Sequence, residues 1–110
     1  MAKYDVRITE SALGDLDAIR SFMAAQRGED SAEEWMNGFD EVINSLELFP
    51  ERGAVPPPLV DLGIVTFRQI PMLPYRVLYE VIGNQVFVAL IVHTKRDFQS
   101  LLQERLLRSD

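Results

Sequence analysis

The 110-residue chain contains no cysteine, a single histidine and a single tryptophan. Without thiols it can form neither disulfides nor thiolate metal sites, which fits a cytoplasmic protein. One histidine leaves a zinc site without a ligand set. The longest unbroken apolar run, residues 86–92, is far short of the ~20 residues a membrane-spanning helix needs. The opening stretch MAKYDVRITE lacks the apolar core of a secretory leader and passes directly into a strand pattern, so no leader is expected. There is no phosphate-binding glycine loop and no nucleophile elbow. Neither a cofactor nor a metal is expected.

What is present is a soluble-protein composition, 47% hydrophobic and 25% charged, in a length that supports one domain over residues 1–110. The net charge of −6 is unevenly spread. Residues 1–61 carry 5 Lys/Arg against 13 Asp/Glu, whereas residues 62–110 carry 6 against 4. An acidic half and a mildly basic half follow. Overall acidity opposes tight, sequence-independent binding to nucleic acid, which depends on neutralising phosphates. The acidic pairs Asp15/Asp17, Glu33/Glu34 and Asp40/Glu41 read as solvated helix surface.

Periodicity gives the order of elements. Residues 3–9 alternate Tyr4, Val6 and Ile8 against Lys3, Asp5 and Arg7, a half-buried strand. A helix follows over Glu10–Arg27, with Ala12, Leu13, Leu16, Ile19, Phe22 and Met23 as its apolar stripe and Gly28 as its stop. A second helix is expected from Ser31, which has capping-box spacing to Glu34. Its buried face is Ala32, Trp35, Met36, Phe39, Val42, Ile43, Leu46 and Phe49, and Pro50 ends it. Residues 50–63, with Pro56-Pro57-Pro58, read as a stiff loop or extended crossover. A strand over 64–70 places Val65 and Phe67 opposite Thr66, Arg68 and Ile70.

The run from Tyr75 onward reads as a β-hairpin about Gly83-Asn84. Regular pairing from that turn puts Tyr75, Val77, Tyr79 and Val81 on one face with Val86, Val88, Leu90 and Val92. The other face then carries Arg76, Leu78, Glu80, Phe87, Ala89, Ile91 and His93. This register brings Arg76 within a diagonal step of His93, with Lys95 and Arg96 just beyond. Arg68 is expected to join Arg76 on the same face. A last helix over residues 97–108 would carry Phe98, Leu101, Leu102 and Leu106 on one side. The fold class is therefore α+β, in the order β-α-α-β-β-β-α, with a two-helix hairpin packed on a mainly antiparallel sheet.

The element order, Pro50-Glu51-Arg52-Gly53 after the second helix, the strand arginine Arg68, the run Tyr75-Arg76-Val77-Leu78-Tyr79 and the ending His93-x-x-Arg96-Asp97 together resemble the RelE/ParE toxin superfamily. These are the small toxins of type II toxin–antitoxin pairs, also called plasmid stabilisation proteins. The resemblance implies growth inhibition, neutralisation by a cognate antitoxin, and assembly into an oligomer with it. RelE-like members cut messenger RNA on the ribosome, whereas ParE-like members poison DNA gyrase. The His-x-x-Arg-Asp ending resembles the ParE-like side and a broad group of unassigned members, and the acidity and the lack of any tyrosine after Tyr79 depart from the RNA-cutting members.

Two target readings stay open on the residues alone. A target-binding surface would use Arg76, His93, Lys95 and Arg96. A ribonuclease would use His93 as its proton-transfer group, with Arg76 and Arg68 on the developing phosphorane charge. A third reading is a non-toxic homologue that keeps antitoxin binding. The antitoxin would fold onto Leu78, Phe87, Ala89 and Ile91, an apolar patch beside cations.

Overall fold

A computed structural model describes residues 3–96. Strand β1 (Asp5–Ile8) leads into helix α1 (Glu10–Arg27), then α2 (Glu29–Leu46), a short helix α3 (Pro57–Asp61), and strands β2 (Phe67–Met72), β3 (Tyr75–Ile82) and β4 (Gln85–His93). The sheet order is β1-β4-β3-β2. The pairs β2–β3 and β3–β4 are antiparallel and β1–β4 is parallel, so the sheet is mixed. The α+β layer expected from the sequence is the observed one. The helix expected over 97–108 lies outside the described residues.

Local chemistry explains the helical hairpin. The Thr9 hydroxyl accepts the Ala12 N–H at 3.2 Å and caps α1. Gly28, at φ 94°, ends α1 and directly precedes α2. That left-handed backbone suits glycine and lets the two helices meet without a loop. The second helix therefore starts at Glu29 rather than Ser31, and no side-chain capping bond forms there. Buried α1 positions are Ala12, Leu16, Ile19 and Met23, whereas Leu13 and Phe22 lie on the flanks at 48% and 59% exposure. Phe49, expected on the buried face of α2, falls beyond that helix and is 60% exposed.

Both faces of the sheet are covered by apolar groups of the chain. The hairpin packs on Ile70, Tyr75, Val77, Tyr79, Val86, Val88 and Ile91. On the opposite face Leu59 of α3, with Ile64, packs against Phe67, Leu78, Leu90 and Val92. Pro56-Pro57-Pro58 is thus the start of a helix, with proline at its first positions where no N–H is needed. The second strand begins three residues later than expected and runs through Pro71. Gln69 turns its N–H away from β3 to Ala54 O, so Pro71, two positions on, faces outward where a missing donor costs nothing.

One irregularity decides the rest. From Ile82↔Gln85 to Tyr79↔Val88 the hairpin keeps the register set by its turn. A β-bulge then places Leu78 opposite Leu90, leaving Ala89 as the extra residue. Beyond it, Ile91 and His93 join Val77 and Tyr75 on the helix face, and Leu90 and Val92 join Leu78 on the other. The sequence expectation had these four residues on the reverse faces. Because residues 86–92 are apolar at every position, alternation carried no parity signal to fix them.

Candidate functional site

Of the cationic and ionisable residues singled out in the sequence, Arg76, His93, Lys95 and Arg96 gather at one end of the sheet, but not as a single cluster. His93 pairs with Tyr75 across the β3–β4 ladder, and its ring meets the tyrosine ring edge-on at 5.6 Å. Tyr75 in turn meets Trp35 at 5.6 Å, and Trp35 stacks on Phe39 at 6.1 Å. The Trp35 indole N–H donates to Met72 O at 3.2 Å, which fixes this row of four rings against the β2–β3 turn. His93 Nδ1 accepts the Lys95 N–H at 3.1 Å. The histidine therefore terminates an aromatic row and shapes the turn that follows it.

Arg76 lies on the opposite face, next to Val92. Its guanidinium donates to Gln69 Oε1 at 3.2 Å and to Thr94 O at 2.5 Å. Thr94 N–H donates to Pro74 O at 2.9 Å, and Arg96 N–H to His93 O at 2.9 Å. Residues 93–96 are thus held by Arg76 and Pro74 from outside and by the Arg96–His93 bond within the turn. Lys95 and Arg96 project from this braced turn and are exposed. Arg76 and His93 act on the turn from different faces, so the register does not set them diagonally on one face as expected. The bulge is the reason.

Arg68 is further away still. Its strand partner is Tyr79, on the helix face, and its guanidinium donates to Gly53 O at 2.7 Å and Glu51 O at 3.2 Å. The expectation that it joins Arg76 fails because Phe67, not Arg68, takes the α3 face. Four strand positions separate Arg68 from the level of His93, roughly 13 Å along the strand, with two strand spacings of about 5 Å to cross. Its bonds account for the Pro-x-x-Gly motif instead. Gly53 N–H donates to the buried Tyr79 hydroxyl at 2.9 Å, and an added Cβ would sit 2.7 Å from Gln69 O and 2.8 Å from Tyr79 Oη. Burial pushes the Tyr79 hydroxyl pKa up, partly offset by the Gly53 N–H it accepts.

Two residues reached the site without a sequence signal. Asp15, read as solvated surface, accepts the Ile91 N–H at 2.9 Å, supplying an acceptor to β4 beyond the end of β1. It lines a cavity of about 290 Å³ with Ile19, Tyr75, Ile91, His93 and Arg96. Trp35 was read only as core. Nothing in a local pattern links residue 15 to residue 91.

The apolar patch expected for the antitoxin is not assembled. Leu78 is fully buried beneath α3, and Ile91 lies on the other face under α1; Phe87 and Ala89 are half-buried. Among the described residues no three His, Asp or Glu side chains converge as a metal site requires, and no helix is long and apolar enough to cross a membrane.

Comparison with known proteins places this geometry. The family described as the ParE toxin of the type II toxin–antitoxin system, parDE, matches residues 6–98. A solved structure titled as the chromosomal ParDE TA system from P. aeruginosa superposes with a TM-score of 0.68 at 20% identity, covering 84% of this chain and 98% of that one. No curated protein matches. The family match spans both motifs explained above, the Gly53–Tyr79–Arg68 lock and the braced turn at residues 93–96. The chain belongs to the ParE toxin family of type II toxin–antitoxin systems.

Proposed function

We propose that this toxin arrests growth by binding DNA gyrase through the basic end of its sheet, and that a cognate antitoxin neutralises it in the cytoplasm. The observation that supports binding over RNA cleavage is the separation of the three groups a ribonuclease would need. His93 and Arg76 sit on opposite faces, and Arg68 is engaged by the 51–53 turn. Positioned acid–base catalysis requires hydrogen-bond reach of the reacting atoms, and these side chains do not surround one point. A rigid turn presenting Lys95 and Arg96 instead suits contact with an acidic partner surface.

The test has two arms. Brief induction of the chain without antitoxin, followed by mapping of RNA 5′ ends, is expected to give arrest with intact messages. Purified toxin is expected to inhibit gyrase supercoiling, and Arg96→Glu to weaken that inhibition at least about tenfold. His93→Gln, which keeps a hydrogen-bonding side chain but no titrating group, is expected to stay toxic. New cuts phased to codons, abolished by His93→Gln, would establish the ribonuclease and overturn the proposal.

A further inference from the structure

The turn at residues 93–96 is reached by a chain of bonds that starts at an edge of the sheet two strands away. Strand β2 is that edge. Gln69 exchanges two main-chain bonds with Ala54, its N–H donating to Ala54 O at 2.8 Å and Ala54 N–H donating to Gln69 O at 3.2 Å. Ala54 follows directly on Gly53, which Tyr79 and Arg68 hold. The Gln69 backbone is therefore fixed on both sides, by β3 and by the turn that ends at Ala54.

Its side chain shares a face with Phe67, two residues before it, as Arg76 does with Leu78, and both apolar residues pack under α3. Gln69 pairs with Leu78 and Arg76 with Pro71, so Gln69 and Arg76 are diagonal neighbours across the β2–β3 ladder, a step that long side chains can span. Gln69 Oε1 accepts from Arg76 Nη1 at 3.2 Å, while Nη2 donates to Thr94 O at 2.5 Å. The guanidinium is planar and rigid, so a bond at one nitrogen sets the direction of the other. The Gln69 amide oxygen thus helps to aim Arg76 at the turn. Gln69 is itself remote from that turn. Level with Leu78 and Leu90, it lies three strand positions short of His93, roughly 10 Å, and two strands across.

We propose, on the reading that Lys95 and Arg96 contact gyrase, that Gln69 is a positioning residue for that contact, acting through Arg76 to hold the turn that presents both cations. Lys95 and Arg96 are exposed, and a turn ordered in advance spares the complex the entropy of ordering it on contact. Gln69 is uncharged and half-buried, so steering of an acidic partner does not account for an effect of its loss. The relay also gives the Pro-x-x-Gly motif at residues 50–53 a second consequence. By placing Ala54 against Gln69, the motif helps to set the target-facing turn from the opposite edge of the sheet.

The test uses the full chain and has two arms. In the free toxin, amide nitrogen relaxation is expected to show the 94–96 turn as ordered as β4. Gln69→Leu, which removes the acceptor, is expected to lower the Lys95 and Arg96 order parameters from the roughly 0.85 of rigid backbone towards about 0.6, while those of β2 and β3 stay as they are. Gln69→Glu keeps an acceptor and is expected to keep the order. In an Arg76→Met background Gln69→Leu is expected to change nothing further, because the route through the guanidinium is already gone. In the second arm, Gln69→Leu, which leaves the net charge as it was, is expected to raise the inhibitory constant for gyrase supercoiling about three- to tenfold. Unchanged order in Gln69→Leu overturns the proposal, and so does an equal fall in the Arg76→Met background. Lost order with full inhibition also overturns it where Arg96→Glu does weaken inhibition. Inhibition by Arg96→Glu equal to wild type would instead sink the gyrase reading, and the target half of the proposal with it. The relaxation arm needs no target and still upholds or refutes the hold of Gln69 on the turn.

Discussion

Replacing Gly53 with alanine tests the lock between the Pro-x-x-Gly turn and the sheet. The new Cβ would lie 2.7 Å from Gln69 O, 2.8 Å from Tyr79 Oη and 3.0 Å from Tyr79 Cε1. None of these can retreat cheaply. Gln69 O accepts the Ala54 N–H in a two-way bridge with that residue, and Tyr79 is fully buried. The turn must therefore move out, at a cost of about 1–3 kcal/mol for overpacking. Moving it separates Gly53 N–H from the Tyr79 hydroxyl, and a buried polar group left unsatisfied costs about 1–3 kcal/mol more. Arg68 loses the geometry of its bonds to Glu51 O and Gly53 O at the same time. The expected loss is about 2–6 kcal/mol, against a total of about 5–15 kcal/mol for a domain of this size.

Urea titration followed by circular dichroism measures it, with Gly14→Ala as the control. Nothing lies within 4 Å of a Cβ built at Gly14, in the middle of α1. That change is expected to stabilise the fold by about 0.5–1 kcal/mol through helix propensity alone. The two alanines should thus move the midpoint in opposite directions. If Gly53→Ala cost less than about 0.5 kcal/mol, the close approach would not constrain residue 53, and the account of the motif would be wrong.

Asp15→Ala is expected to destabilise by about 1–2 kcal/mol and to speed exchange of the Ile91 amide, whereas Asp15→Asn, which keeps an acceptor, should cost less; equal losses would mean that the bond to Ile91 contributes nothing. The Tyr79 hydroxyl has a raised pKa, so the folded state holds that proton more tightly than the unfolded chain. Its contribution is complete below the ordinary tyrosine range of about 10 and is lost as pH rises through the folded value. Unfolding midpoints should fall as the pH rises above about 10, and Tyr79→Phe should flatten that fall at the cost of lower stability at neutral pH. For Asp5 the sign is reversed. The Arg7 guanidinium, with Gln85, holds its carboxyl below the usual range, so the interaction is present at neutral pH and lost as the solution is acidified through that lowered value. In Arg7→Gln the Asp5 carboxyl resonance should titrate closer to the ordinary aspartate value; an unchanged midpoint would show that Arg7 is not the cause.

Much of the fold is legible without coordinates. The 3.6-residue stripe over Glu10–Arg27, the Gly28 break, the alternation through Tyr4, Val6 and Ile8 and the Gly83-Asn84 turn each follow from local rules, and local rules suffice where polar and apolar positions alternate. Near the hairpin turn they even fix the register, down to Tyr79↔Val88. The motifs that mark the family are also local, although their meaning is not. That Arg68 and Gly53 bond to each other, and that Tyr79 closes the lock, requires the turn and the strand to be docked.

Tertiary structure decided the rest. In residues 86–92 every side chain is apolar, so burial on either face is equally favourable and the sequence cannot say where alternation slips. The bulge at Ala89 settles it, and with it the separation of His93 from Arg76 that shapes the functional reading. The α3 segment decided that the second sheet face is core, because Leu59 arrives there by a crossover whose prolines read equally well as extended chain. Asp15 is surface by every local criterion. The ending of β1 at Ile8, which leaves the Ile91 N–H in need of an acceptor, gives that carboxylate a structural role.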